Sequence, residues 1–193
     1  MKKVSNLLFV FATLVIAISC NNSGKENVKA ADSANDAKTN TDTSSATLQT
    51  DDKSSSFLVR VADAGMGEVE LTKLAEEKST NAEIKGFASM LWNDHTQLNQ
   101  QVKQMAQERN VTLPPTTSED HNKVMADMKT RSGKNFEKEF LDKLVVNHNK
   151  SISLFEDAIK EVNDAAVRTF ADNTLPKLRV HRDSAQALKK KYW

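Results

Sequence analysis

The stretch Ile84-Lys85-Gly86-Phe87-Ala88-Ser89-Met90-Leu91-Trp92-Asn93-Asp94-His95-Thr96-Gln97-Leu98, continuing through Val102 to Met105, decides the fold. Ile84, Phe87, Leu91, His95, Leu98, Val102 and Met105 recur at three- and four-residue intervals. That spacing places them on one stripe of an α-helix, whereas a half-buried strand would alternate. One member of the stripe, His95, is an imidazole on an otherwise apolar face.

Just before it, Thr80-Asn81-Ala82-Glu83 predicts a capping box at the start of this helix, with Thr80 as the cap and Glu83 reaching back. A preceding helix carries Phe57, Val61, Ala64, Glu68, Leu71 and Ala75 in phase and ends near Ser79. Downstream, Pro114-Pro115 forbids continuation. Thr117-Ser118-Glu119-Asp120 reads as the start of a short helix running to Arg131 and ended by Ser132-Gly133. A long helix from about Asn135 carries Phe140, Leu144, His148, Ile152, Phe155 and Ile159. Asn163-Asp164 caps a last helix with Val167, Phe170, Thr174, Leu178, His181, Ala185 and Leu188 in phase, and Pro176 inside it predicts a kink. Lys189 to Lys191 suit the negative end of its dipole. The expected fold is all-α: a four-helix bundle with a short extra helix between the second and third long helices. That long connection can support a crossover of the ferritin-like kind, and an up-down-up-down order stays open.

Composition agrees. The chain of 193 residues holds only 5 Gly and 3 Pro, too few turn residues for an all-β fold. Its 27 basic and 26 acidic residues nearly balance, so nucleic acid is not an expected partner. The single cysteine permits no internal disulfide. Lys2-Lys3 followed by the apolar run Leu7 to Ile18, then Ala17-Ile18-Ser19-Cys20, resembles the signal and lipobox of bacterial lipoproteins, with Ala17 where Leu is preferred. The expectation is a signal peptide over 1–19, acylation (as by palmitate) of Cys20, and attachment to a membrane of the cell envelope, the outer membrane first. Residues 20–56, rich in Ser, Thr, Asn, Asp and Ala, are expected to be a disordered tether, and 57–193 to be the folded bundle.

Several landmarks have a familiar order: Ala64-Gly65-Met66-Gly67-Glu68-Val69-Glu70-Leu71, Lys73-Leu74-Ala75, Phe87-Ala88, Asp94-His95, Val111-Thr112-Leu113-Pro114, Gly133 with Phe136, Asn147-His148, Phe170-Ala171, Leu175-Pro176 and His181. The chain from Phe57 to Leu188 resembles the bacterial family called domain of unknown function 4142. The resemblance implies a ferritin-like bundle and an envelope location, and it implies no agreed activity.

Of the four histidines, His121 falls in the short helix and is expected to be solvated. Glu68, His95, His148 and His181 lie on the inward phase of the four long helices, with Gly65 and Gly67 beside Glu68 permitting close helix approach. Glu68 lies 12 residues before Thr80 and His95 15 after it, while His148 lies 15 before Asn163 and His181 18 after it. At ~1.5 Å of rise per residue each pair differs in height by roughly 5 Å, so all four can meet near mid-bundle. Ionisable groups in a core must be paired, hydrogen-bonded or metal-bound. Two readings follow. One is a single transition-metal site, Zn, Cu or Fe, held by Glu68, His95, His148 and His181 with Asp94 accepting a ligand's other N–H. The other is a buried polar cluster in a non-enzymatic binding or structural module whose protein partner the sequence does not name. A di-iron oxidase is not expected, because Trp92 and Leu178 stand where Glu-x-x-His would need carboxylates.

Overall fold

A computed structural model describes residues 23–39 and 50–193; the expected signal peptide and Cys20 lie outside the described residues. Six helices are formed: α1 (Ser23–Thr39), α2 (Asp52–Lys78), α3 (Ala82–Glu108), α4 (Glu119–Thr130), α5 (Gly133–Glu161) and α6 (Ala165–Tyr192). No strand occurs among the described residues, and none of these helices is long and apolar enough to cross a membrane.

Contacts at the two ends of the bundle fix its topology. At one end, Glu137 Oε1 of α5 accepts N–H bonds from Thr80 and Asn81, both at 2.9 Å, in the α2–α3 link. Lys191 near the end of α6 pairs with Glu83 at the start of α3, 2.6 Å, at that same end. At the other, Arg109 after α3 donates to Asp164 before α6, Nε to Oδ2 at 2.7 Å and a terminal nitrogen to Oδ1 at 3.1 Å. Helices α2 and α6 therefore run one way and α3 and α5 the other. The α3-to-α5 connection, which contains α4, crosses the length of the bundle, so the order is not up-down-up-down.

The inward stripes build two apolar cores. One contains Phe57, Leu58, Val61, Leu98, Val102, Ile152, Phe155, Val167 and Leu178. The other contains Leu71, Ile84, Leu91, Met128, Phe136, Phe140, Leu144 and Ala185. In every long helix an ionisable residue falls between the two: Glu68, His95, His148 and His181. A buried polar layer thus divides the core at mid-height.

Local chemistry corrects several expectations. The cap of α3 is Asn81, not Thr80: its side-chain oxygen accepts from the N–H groups of Glu83 and Ile84 at 2.9 and 3.2 Å. Thr80 is drawn instead to Glu137, and Glu83 to Lys191. Asp164 caps α6 as expected, accepting from Ala166 and Val167 at 3.0 Å each. Pro176 lies within α6, which stays helical through it. Helix α5 starts at Gly133, two residues before the expected Asn135, and Gly133 takes φ 54°, a left-handed value that costs glycine little.

The disordered tether is also corrected where it is described. Asp51 caps α2, accepting from Ser54 N–H at 3.1 Å, so the bundle begins before Phe57. Residues Ser23–Thr39 form α1, packed on α2 and α4. Its polar composition concealed a docking device: Asn35 donates from Nδ2 to Thr112 O at 3.0 Å and accepts from Thr112 N–H at 2.7 Å. A side-chain amide that matches both backbone groups of one residue, with Ala31 buried one turn away, orders a segment that hydrophobicity alone would not.

Candidate metal centre

Each histidine arrives from a different long helix. His95 extends the Leu91–Leu98 stripe of α3, His148 the Leu144–Ile152 stripe of α5, and His181 the Leu178–Ala185 stripe of α6. Their exposures are 5%, 1% and 2%. The ring centroids stand 5.5 Å apart for His95–His148 and His95–His181, and 5.3 Å for His148–His181. One ring nitrogen from each falls within 4.8 Å of the others, which makes these three residues a set able to hold a metal ion.

Hydrogen bonds assign the tautomers. His148 Nδ1 lies 3.0 Å from Leu144 O, and a carbonyl can only accept, so Nδ1 carries the proton. His181 Nε2 lies 2.9 Å from Asp94 Oδ2 and donates to that carboxylate. The remaining nitrogens, His148 Nε2 and His181 Nδ1, face each other at 3.3 Å. In neutral rings both present lone pairs, an arrangement that needs a proton or a cation between them. Two imidazole nitrogens bound at ~2.0–2.1 Å to one tetrahedral ion stand roughly 3.3–3.4 Å apart. His95 completes the set with Nδ1 and Nε2 both buried and without any protein hydrogen-bond partner.

The electrostatics keep the rings neutral. Burial, reinforced by the neighbouring His148 and His181, pushes His95 down to about 3. Burial and His181 push His148 down to about 4. Burial lowers His181 as well, and Asp94 offsets part of that. Burial would raise the Asp94 carboxyl, but hydrogen bonds from Lys177 and His181 hold it below the usual range. A neutral imidazole is the form that coordinates a metal.

Glu68 is not part of the donor set. Its Oε1 lies 3.8 Å from His148 Nδ1, on the ring edge that faces away from His181, so a ligand role beside the three nitrogens is corrected to that of a neighbour. Burial raises it to about 7, with Asn147 and His121 offsetting part of the rise. Both carboxyl oxygens lack a hydrogen bond of good geometry. His121 is half-buried rather than fully solvated: Nδ1 lies 3.2 Å from Asp63 Oδ2 and 2.9 Å from Ser118 Oγ. Its ring covers α2 at Gly67, where a Cβ would stand 2.4 Å from His121 Cδ2, and a Cβ on Gly65 would stand 1.9 Å from Asn99 Oδ1. Both glycines therefore admit side chains from neighbouring helices.

Asp94 accepts an imidazole N–H across the bundle, from His181 rather than from the adjacent His95. Sequence reading missed the Leu144 carbonyl, which the helical i–4 position of His148 could have suggested, and Lys177, which pairs with Asp94 Oδ1 at 3.0 Å. No signal in one sequence brings Lys177 to Asp94, since 83 residues separate them.

Two solved structures share the fold. A DUF305 fragment from Deinococcus radiodurans superposes with a TM-score of 0.67 at 12% identity, covering 74% of this chain and 99% of that one. CopM in the Cu(II)-bound form superposes with a TM-score of 0.63 at 13% identity, covering 72% and 97%. No curated protein sequence matches the chain. The family model for the domain of unknown function DUF4142 matches residues 38–188, and with the helical core and its histidine layer lying inside that span, the chain belongs to the DUF4142 family.

Proposed function

We propose that this protein is a lipid-anchored module of the bacterial cell envelope whose helical bundle binds one divalent transition-metal ion through His95, His148 and His181. The observation that carries this reading is the pair of lone pairs at His148 Nε2 and His181 Nδ1, 3.3 Å apart and fixed by outward hydrogen bonds, beside an unpartnered buried His95. Leu144 O and Asp94 orient two of the rings in advance, which lowers the cost of assembling the site. Three imidazoles without thiolate suit copper or zinc, and copper stands highest in the affinity order of such donors. That a bundle of similar fold, CopM, is known in a Cu(II)-bound form supports the choice of copper to try first. The crossover between α3 and α5 supports the kinship with ferritin-like bundles that the sequence suggested. The anchor is read from Cys20, and it would hold the bundle at the outer membrane.

Element analysis of the purified protein tests the reading. After equilibration with Cu(II) or Zn(II) and removal of loose ions, the protein is expected to hold one ion per chain, and His148→Leu to hold none. Equal metal content in both proteins would leave the buried layer as a purely structural cluster.

A further inference from the structure

The three imidazoles are sealed in the bundle, so an ion must reach them between two helices. Helices α2 with α3, and α5 with α6, are closely packed antiparallel pairs, and α2 also packs on α5. Helices α3 and α6 approach less closely, and side chains such as Asp94 with His181 and Lys177 bridge them. Along that open seam lies a groove of about 320 Å³ lined by Asp94, Gln97, Leu98, Gln101, Thr174 and Lys177 among others. Leu98 is one turn from His95, and Lys177 and Thr174 are one and two turns from His181. The groove therefore ends beside the histidine layer.

Asp94 stands at its inner end. One carboxylate oxygen accepts from His181 inside, and the other from Lys177 outside, at 2.9 and 3.0 Å. The Asp94 side chain is 23% exposed, against 3% for that of His181. On the opposite side Glu68 is covered by α4, where His121 packs over Gly67 and is tied to Asp63. Burial would lower His121, but the hydrogen bond and charge of Asp63 raise it, so the Asp63 carboxylate on that side is already engaged by this ring.

We propose that the groove between α3 and α6 is the path by which a divalent cation reaches and leaves the three histidines, with Asp94 as the relay carboxylate and Lys177 as an electrostatic plug over it. The proposal rests on the reading of the histidines as a metal site. A hydrated cation displaces the flexible, half-exposed Lys177 ammonium from Asp94 Oδ1. Amide and hydroxyl oxygens of Gln97, Gln101 and Thr174 can replace part of its water shell on the way in.

The test is stopped-flow mixing of the metal-free protein with Cu(II) ions, read by quenching of Trp92, one turn from His95. Dissociation is read by transfer to a chelator. Lys177→Met is expected to raise the association rate roughly tenfold at low ionic strength, and about 0.5 M salt to erase most of the gain. Gln101→Phe with Asn173→Phe, both on exposed positions of the groove, should slow association and dissociation by the same factor and leave the equilibrium affinity unchanged. Rates indifferent to all three substitutions, in a protein that binds the ion, would overturn the route while leaving the site. Acceleration by His121→Ala alone would put the route under α4 and overturn the proposal. A wild-type protein that binds no ion would remove both the route and the site.

Discussion

His95→Leu separates a ligand set from a structural polar layer by the sign of its effect. His95 is 5% exposed and neither ring nitrogen has a protein partner. A buried polar atom left unsatisfied costs about 1–3 kcal/mol, part of which a bound water would return. Leucine continues the Leu91–Leu98 stripe with an apolar side chain of comparable size. In metal-free protein near neutral pH the substitution is therefore expected to stabilise by about 1–3 kcal/mol, the opposite of an ordinary core mutation. Acid adds a signed second effect. His95 is pushed from 6.5 to about 3 on folding, so between those values the unfolded chain binds a proton that the folded chain refuses. Wild-type stability thus falls as pH drops below 6.5, by about 1.4 kcal/mol per pH unit from this residue, and the leucine protein lacks that loss. The advantage of leucine should widen by about 1.4 kcal/mol between pH ~7.5 and ~5.5. Urea unfolding of both proteins with chelator present, followed by helical circular dichroism, measures it. Destabilisation by leucine at both pH values, with no change in the gap, would show that the His95 imidazole is satisfied in the folded core.

Other consequences are as specific. Glu137 is held below the usual carboxyl range because bonds from Asn81, Ser79 and Thr80 outweigh its burial, so its contribution is present above the unfolded pKa and is lost as pH falls through the depressed folded one. Glu137→Gln should cost about 1–3 kcal/mol at neutral pH and little in acid, read from denaturant midpoints at the two pH values. Asn35→Ala should release α1 from Thr112 and cost about 1–2 kcal/mol, and a chain beginning at Asp51 should lose at least as much; equal melting temperatures for the shortened and longer chains would show that α1 adds nothing. Cys20→Ser should abolish fatty-acid labelling, and equal labelling of the two proteins would remove the anchor from the account.

The helical periodicity of Ile84 to Met105 and of its counterparts carried most of the fold, because an amphipathic stripe is a local property. The inward phase of His95, His148 and His181 was legible for the same reason, and counting residues from the turns brought them to similar heights. Non-local facts escaped. Glu68 shares the phase and the layer, yet the ring orientation of His148 presents to it the Nδ1 edge that is bonded to Leu144 O, and not the free Nε2. The cap shifted from Thr80 to Asn81 because Glu137, distant in sequence, claims Thr80. Helix α1 escaped because its stability comes from docking, with Asn35 matched to Thr112, rather than from an apolar stripe of its own.

X-ray absorption at the copper edge of the Cu(II)-loaded protein reads the donor set of the bound ion itself. Three imidazole nitrogens are expected at about 2.0–2.1 Å from one ion, with the imidazole scattering lost when His95, His148 and His181 are all replaced by leucine. Fewer than three imidazoles, or a spectrum unchanged in the triple variant, would contradict a three-histidine site.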